Sequence, residues 1–472
     1  MKLSGISADA TPNHCRSTEQ AAVNTLSARR RLLIIALIFF TALGVRFLNW
    51  HVAGNEALAV QSGVATNYKH LAALIRANGL SSLYDALSPT NNPELLGHPP
   101  GYSILLALVY RTATESDAGL QLLQITLDSV SVVIILLLAF ELFPAAIGII
   151  SGLMAAFAPQ FSWNSITLLP DSLAALPILV AISLIARISQ RGNRDNRWTL
   201  LTFFVAGMLI GISSWLRANA LLLSPFLVLL LLFIRKRGAR LSPALMLVAG
   251  ALLVIGPLTI RNAVVFGKFI PVSLGAGQTL LEGIADYNSD GSLGLPQTDV
   301  ELTRAEAETF HRPEYAKSLF APDGIERDRA RLVRGVAVIR AHPFWFVGVM
   351  VRRAASMLRL ERTPLRLQPT NAVSWQRLFQ WPLRFVQKLF ITAIFLPLTL
   401  LGAYLLGYQR QFQTLALLLV VPFYYFCIQS ALHTEYRYVL VIHYFLFVLA
   451  AVGLYSIGCK ITAAWKALWA NN

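Results

Sequence analysis

The sequence predicts an all-α membrane protein with about ten (10–12) transmembrane helices, and three observations support this. Of its 472 residues, 56% are hydrophobic and 14% are charged, whereas soluble domains are about 45–50% apolar and about 25% charged. The apolar residues form runs of roughly the 20 residues that a helix needs to cross a bilayer. Most Lys and Arg residues lie between these runs or at their ends. The composition therefore excludes a soluble enzyme, a disordered protein and a disulfide-stapled secreted domain.

The formal net charge is +16, from 40 Lys and Arg against 24 Asp and Glu. In a soluble protein this excess would suggest a nucleic-acid partner. Here it follows the topology, because positive charge in short loops marks the cytoplasmic side. We therefore expect membrane lipids and no nucleic acid as partners. Cys15 lies in the N-terminal tail and Cys427 and Cys459 lie in apolar runs, so we expect no disulfide framework, metal or cofactor.

Charge bias orients the predicted spans. The first apolar run follows Arg29–Arg31 and no small-residue cleavage site follows it, which predicts an uncleaved first span and a cytoplasmic N-terminus. The loop at 187–197 carries four arginines and falls on the cytoplasmic side, whereas the outer loops near Asp171 and Arg217 have little positive charge. Both termini of this inner-membrane protein are then cytoplasmic. The ten spans are predicted at 31–49, 118–140, 145–162, 172–188, 199–216, 219–234, 242–260, 386–406, 412–431 and 438–458.

One segment, 343–358, is ambiguous. Arg352 and Arg353 lie in its interior, and paired arginines are costly in a bilayer core. This favours an amphipathic helix on the outer surface; the alternative is a further crossing, which would move the loop at 433–438 to the cytoplasm. The predicted regions are a cytoplasmic tail (1–30), a transmembrane module (31–265) with a first outer loop (50–117), an extracytoplasmic loop (266–342), a basic interfacial segment (343–385) and C-terminal helices (386–472).

The first outer loop is predicted to hold two helices that lie on the membrane surface. Apolar residues recur at helical spacing between Tyr68 and Ile75, and Gly79 is a natural stop. The tract Pro99-Pro100-Gly101 predicts a rigid turn, and the apolar stretch that follows is too short to span a membrane. His98 therefore stands at the start of the second helix.

Five tracts along the chain carry a resemblance to a known family. The tract GHPPGYSILLALVYR (97–111) resembles a hallmark of GT-C glycosyltransferases, in particular the branch with aminoarabinose transferases and dolichyl-phosphate-mannose protein mannosyltransferases. Members of that family move a sugar from a polyprenyl-phosphate lipid to an acceptor on the outer side of the membrane. Four further tracts agree in order: LLPDSLAAL (168–176), WLRANALLL (215–223), GPLTIRNAVVFGKFIPVS (256–273) and EYRYVL (435–440).

The resemblance implies roles for particular residues. Asp171 matches an acidic residue of the catalytic cavity. Family members usually carry another Asp just before the position of Tyr68, but this chain has Val-Ala-Thr-Asn at 64–67, so Glu56 is the substitute candidate. Monophosphate-linked donors in the family generally need no metal. The candidates for binding the donor's phosphate or sugar are His98, Tyr102, Arg217, Arg261, Arg437 and Tyr68.

Seven of the eight candidates also have a purely structural interpretation. These are a helix N-cap for Asp171, a solvated charge for Glu56, a turn residue for His98, an interface anchor for Tyr102, snorkelling for Arg217 and Arg261, and a surface ion pair with Glu435 for Arg437. The leading hypothesis is sugar transfer from a polyprenyl-phosphate donor on the extracytoplasmic face, by a single inverting displacement. The alternatives are a catalytically silent, lipid-binding homologue and a transporter or flippase of lipid-linked sugars.

Overall fold

The structure is a computed structural model, and it describes residues 27–112, 116–191, 196–234, 241–288, 291–361 and 374–470. All regular elements in these ranges are α-helices or short 3-10 helices, which confirms the predicted fold class. The N-terminal half contains ten α-helices within the described ranges: α1 (Ala28–Ala59), α2 (Ser62–Asn78), α3 (Gly101–Thr112), α4 (Asp117–Leu142), α5 (Ala145–Phe157), α6 (Pro159–Asn164), α7 (Asp171–Arg191), α8 (Asn196–Leu216), α9 (Leu223–Ile234) and α10 (Leu241–Phe266).

The C-terminal half begins with the helices of the long polar loop and ends with long apolar helices. Among the described residues its α-helices are α11 (Ala276–Ala285), α12 (Asp299–Thr309), α13 (Gly324–Ala341), α14 (Pro343–Met357), α15 (Ser374–Gln387), α16 (Thr392–Tyr408), α17 (Phe412–Ile428) and α18 (Leu440–Ala470). The long loop thus has helical structure of its own, in which Leu280, Leu281 and Ile284 form a small apolar core with Phe346.

The number of spans differs from the prediction. In the described residues, seven helices are long and apolar enough to cross a membrane, and nine segments qualify if each of two bent helix pairs counts as one span. Helices stand at all ten predicted positions, but α5 has 13 residues and α9 has 12. At about 1.5 Å per residue, both are shorter than the roughly 30 Å hydrocarbon core. The chain is a multi-pass membrane protein with fewer full-length spans than expected.

The ambiguous segment at 343–358 forms α14, which meets α13 at 107°. The two helices therefore do not make one straight span. Arg352 is exposed, whereas Arg353 is 2% exposed and donates a hydrogen bond of 2.7 Å to the carbonyl oxygen of Ser430. A second bond from Arg353 goes to the carbonyl oxygen of Gly283. Arg353 thus links α14 to the long loop. The position of α14 at the membrane interface remains a prediction.

A buried ion pair joins three helices of the transmembrane core. Arg46 of α1 donates from Nε to Oδ2 of Asp128 in α4 at 2.6 Å, and the two side chains are 0% and 2% exposed. The Tyr444 hydroxyl of α18 donates to Oδ1 of the same carboxylate at 3.1 Å. Charged groups within apolar spans are stable only when paired in this way. This network connects the N-terminal helices to the last one.

Candidate active site

A cavity of about 910 Å³ lies where the ends of several helices meet the two long loops. Its wall comes from the first outer loop, the turn between α8 and α9, the long loop, and the segment between α17 and α18. Ligand sites are commonly concave pockets of about 300–1,000 Å³. The residues of this cavity divide into a cationic end and a wall of carboxyl and amide groups.

The first outer loop carries His98 to the cationic end. The predicted helix is confirmed as α2, which ends at Gly79 with a φ of +80°. A β-carbon on Gly101 would lie 2.5 Å from the carbonyl oxygen of Trp215, so only glycine allows this close approach of two backbones. Because Trp215 is two residues before Arg217, the turn before α3 brings His98 next to that arginine.

The cationic end is built around the ring of Tyr438. The guanidinium carbon of Arg217 lies 4.1 Å from the ring centroid, and that of Arg437 lies 5.1 Å away. Arg217 donates from Nε to Oδ1 of Asp171 at 2.7 Å, and Arg437 donates from Nη2 to Oε1 of Glu435 at 2.7 Å. Two arginines from distant parts of the chain therefore contact one aromatic ring, each with its own carboxylate.

Several polar atoms at this end are buried and have no hydrogen-bond partner in the described part of the chain. They are Nη2 of Arg217, Nε and Nη1 of Arg437, Oδ2 of Asp171 and the hydroxyl of Tyr68. Buried polar groups are nearly always hydrogen-bonded, and leaving one unpaired costs about 1–3 kcal/mol. Since Arg217 and Arg437 line the cavity, their free N–H groups are suited to an anionic ligand, such as a phosphate.

Burial and the arginines control the charge of the neighbouring groups. The pKa of His98 is lowered to about 4 by burial and then by the positive charges of Arg217 and Arg437. Its ring stacks on Tyr68 with 5.0 Å between the ring centroids. Burial is the largest single effect on Arg217 and lowers its pKa, but the Asp171 carboxylate together with Tyr438 and Tyr68 raises the pKa above its usual value, so this arginine stays charged. The site therefore combines charged guanidinium groups with a neutral imidazole.

The structure brings five of the eight predicted residues together. His98, Arg217 and Arg437 line the cavity, while Asp171 and Tyr68 are buried beside them. The N-cap interpretation of Asp171 does not hold, because its Oδ1 accepts from Arg217 and its Oδ2 has no partner among the described residues. Snorkelling does not describe Arg217 either, since its side chain is 14% exposed and paired.

The other three predicted residues lie elsewhere. Tyr102 is fully buried, donates to Oε1 of Gln124 at 2.6 Å and meets Tyr68 edge-on, so it supports the site from behind. Arg261 is buried and donates to the carbonyl oxygen of Leu83 at 2.8 Å and to the Asn91 side chain, which ties α10 to the first outer loop. Glu56 is exposed on α1 and is not among the described residues that line the cavity.

The carboxyl and amide wall was missed by the sequence analysis. It comes from α11 and α12, where the side chain of Gln278 donates from Nε2 to Oε1 of Glu282 and to Oδ1 of Asp299, both at 3.0 Å. Burial, followed by the hydrogen bond with Asp299, raises the pKa of Glu282 to about 8. The one signal in the sequence was the spacing of Gln278 and Glu282, because residues four apart share a helix face.

Comparison with known proteins finds a family model that matches part of the chain. Residues 97–260 match the family model of dolichyl-phosphate-mannose-protein mannosyltransferases. This segment contains His98, Asp171 and Arg217, so part of the cationic end lies within the matched region. The resemblance to GT-C glycosyltransferases is confirmed, and no curated protein sequence matches the chain significantly.

Solved structures show the same fold. The archaeal oligosaccharyltransferase AglB from Archaeoglobus fulgidus, in complex with an inhibitory peptide and a dolichol-phosphate, aligns with a TM-score of 0.53 at 14% identity over 93% of this chain. The apo form of the Archaeoglobus fulgidus enzyme aligns with a TM-score of 0.54 at 15% identity over 94%. The chain spans about half the length of these relatives, covering 52% of each.

A third structure is similar in part. ArnT from Cupriavidus metallidurans, bound to undecaprenyl phosphate, aligns at 14% identity over 93% of this chain and 80% of that one. Its TM-score of 0.38 does not establish a common fold. The likeness of fold therefore rests on the oligosaccharyltransferase structures.

Proposed function

We propose that the chain transfers a sugar from a polyprenyl-phosphate donor to an acceptor at the cavity. The observation that carries this proposal is the set of buried, unpartnered N–H groups of Arg217 and Arg437 beside His98. These groups suit the donor's phosphate, since charge-assisted hydrogen bonds to phosphate are the strongest that a protein makes. The isoprenoid tail of such a donor would remain in the hydrocarbon, because the cavity lies at the ends of apolar helices.

The reaction we propose is a single displacement with inversion. The acceptor's hydroxyl oxygen forms a bond to the anomeric carbon while the bond from that carbon to the phosphate oxygen breaks. The electron pair of the broken bond leaves with the lipid phosphate, where Arg217 and Arg437 stabilise the increased negative charge. The hydroxyl proton passes to a carboxylate. Since the leaving group is already a phosphate, no nucleotide takes part.

Asp171 is the carboxylate that we propose as the proton acceptor. Its Oδ2 is buried and has no hydrogen-bond partner in the described residues, and it adjoins Arg217. A general base must come within hydrogen-bond reach of the proton that it removes. Glu435, which lines the cavity, is the rival for this role. Glu56 is a weaker candidate for this role, because it is exposed.

The orientation that we propose puts the cavity on the extracytoplasmic face and both termini in the cytoplasm. This rests on Arg187, Arg191 and Arg197, which lie at the ends of α7 and α8 opposite to the ends near Asp171 and Arg217, and on Arg29–Arg31 at the start of α1. Fusion of a periplasmically active reporter to the loop at 291–300 tests the orientation. Reporter activity is expected, and its absence together with activity of a C-terminal fusion would reverse the assignment.

Mass spectrometry of membrane lipids tests the function. A deletion strain is expected to accumulate a polyprenyl-phosphate sugar, whose mass identifies the sugar. The wild-type gene should reverse this accumulation, whereas Asp171→Asn and Arg437→Gln should not. An unchanged lipid pool would favour a silent homologue or a transporter. Purified protein then separates these two, because a transporter moves the intact donor across a vesicle membrane and a silent homologue only binds it.

A further inference from the structure

We propose that Gln278, Glu282, Asp299 and Thr303 form the acceptor subsite of the cavity and bind the hydroxyl groups of a carbohydrate acceptor. This inference rests on the proposed function and deepens it. All four residues line the same cavity as Arg217 and Arg437, but they come from the long loop between α10 and α14. The subsite is thus supplied by a different part of the chain from the region that matches the glycosyltransferase family.

An independent observation indicates that this cavity holds a ligand. Arg437 is 5% exposed, lines the cavity, and leaves Nε and Nη1 without hydrogen-bond partners among the described residues. A volume of about 910 Å³ is near the upper end of the usual range for ligand pockets, about 300–1,000 Å³. There is room beside a sugar phosphate at the cationic end for a second group to approach.

The chemistry of the wall suits hydroxyl groups. Gln278 bridges the two carboxyl groups of Glu282 and Asp299 with bonds of 3.0 Å each. Because the pKa of Glu282 is raised to about 8, this carboxyl group holds a proton at pH 7 and the pair has a single negative charge. The wall thus offers donors and acceptors side by side, and a hydroxyl group both donates and accepts. A divalent cation instead prefers several charged oxygens.

The backbone that carries Gln278 is held rigidly. The carboxylate of Asp328 in α13 accepts hydrogen bonds from the backbone N–H groups of Gly275 at 3.2 Å and Gln278 at 3.0 Å. A β-carbon on Gly277 would overlap the carbonyl oxygen of Asp328, so α11 and α13 are in direct backbone contact. A site on packed helices holds its side chains more accurately than one on a free loop.

Saturation-transfer NMR on the purified full-length protein tests the subsite. The probes are methyl glucoside (neutral), glucosamine (cationic) and glucuronic acid (anionic), with undecaprenyl phosphate affinity measured in parallel. We expect the wild type to bind methyl glucoside. Asp299→Asn should weaken this binding about 10- to 100-fold and Gln278→Ala about 2- to 10-fold. Undecaprenyl phosphate affinity should stay within twofold in both variants.

Glu308→Gln is the matched control, because Glu308 is exposed on the same helix as Asp299 and is outside the cavity lining. Glu282→Gln adds a second readout that does not depend on a folding defect. Binding to the wild type should weaken as the pH rises through about 8, where Glu282 loses its proton, and this loss should be absent in Glu282→Gln.

The subsite is overturned if wild type does not bind methyl glucoside, if glucosamine binds in its place, or if Asp299→Asn binds as the control does. These outcomes are distinct from failure of the proposed function, which would show as no affinity for undecaprenyl phosphate in the wild type or, where that affinity is present, as no sugar transfer by the purified protein. If the wild type binds methyl glucoside but has no affinity for undecaprenyl phosphate, the subsite stands and the assignment of the donor is wrong.

Discussion

Two buried Arg–Asp pairs with nearly equal lengths have different surroundings. In the transmembrane core, Nε of Arg46 lies 2.6 Å from Oδ2 of Asp128. Beside the cavity, Nε of Arg217 lies 2.7 Å from Oδ1 of Asp171. Both oxygens of Asp128 accept hydrogen bonds, from Arg46 and from Tyr444. Oδ2 of Asp171 accepts none within the described residues.

The difference separates a structural pair from a functional one. Arg46 also donates from Nη1 to the carbonyl oxygens of Ala42 at 3.2 Å and Ala156 at 3.3 Å, so most of its capacity is used by the protein. Nη2 is buried without a partner among the described residues in both arginines, but Arg217 lines the cavity and Arg46 does not. In a buried pair whose capacity is used within the fold, loss of one partner leaves the other charge unpaired and destabilises the protein. A pair with unused donors and acceptors at a cavity is prepared for a ligand.

Asp171→Asn should produce the largest effect. We expect the rate of sugar transfer to fall about 10²- to 10⁴-fold, because loss of a general base has that magnitude. Undecaprenyl phosphate affinity should change only a few-fold. The measurement is turnover of the accumulated donor by purified protein, with Glu435→Gln and Glu56→Gln assayed beside it. If Glu435→Gln loses the activity and Asp171→Asn retains it, Glu435 is the base.

Asp128→Ala should act on stability. Removing one partner of a buried ion pair costs about 3–5 kcal/mol, since the remaining charge has no partner. We expect the free energy of unfolding in detergent to fall by this amount, with lipid phosphate affinity retained in the folded fraction. The double variant Arg46→Met/Asp128→Leu should recover much of the loss. A loss no larger than that of Glu308→Ala would contradict the structural assignment.

Arg437→Gln should weaken undecaprenyl phosphate binding about 10- to 100-fold, as expected for lost hydrogen bonds between charged groups. Its effect on unfolding should be small, because Nε and Nη1 have no partner in the described protein. Native mass spectrometry or tryptophan fluorescence measures the affinity. Arg329→Gln, an exposed arginine of α13, is the control. Equal affinities in the two variants would remove Arg437 from the site.

His98 should make lipid phosphate binding depend modestly on pH. Burial and the neighbouring arginines lower its pKa to about 4, so the imidazole is neutral at pH 7. A bound phosphate raises this pKa, so binding takes up a proton, and the affinity should increase as the pH falls from 7 to 5. We expect an increase of a few-fold in the wild type and none in His98→Asn. If the affinity depends on pH equally in the wild type and in His98→Asn, the proton is taken up by the phosphate and not by His98.

The local features of the first outer loop were well predicted, whereas the wall of the long loop was not. Helix α2, its stop at Gly79, and the turn before α3 follow from spacing and from glycine and proline chemistry. Gln278 and Asp299 belong to separate helices, and neither helix carries a motif. Their meeting depends on how α11 and α12 pack, which no local pattern records.

By itself the sequence determined the membrane class and the helix positions, which follow from apolar run length, helical spacing and charge at segment ends. The residues of the cationic end were named through the resemblance to a known family. Only the tertiary structure decided that Arg217 and Arg437 share the ring of Tyr438, that Arg261 is used within the fold, and that Glu56 lies outside the cavity. The physical reason is that a guanidinium has the same chemistry everywhere along the chain, and its role depends on which donors the packed helices leave unpaired.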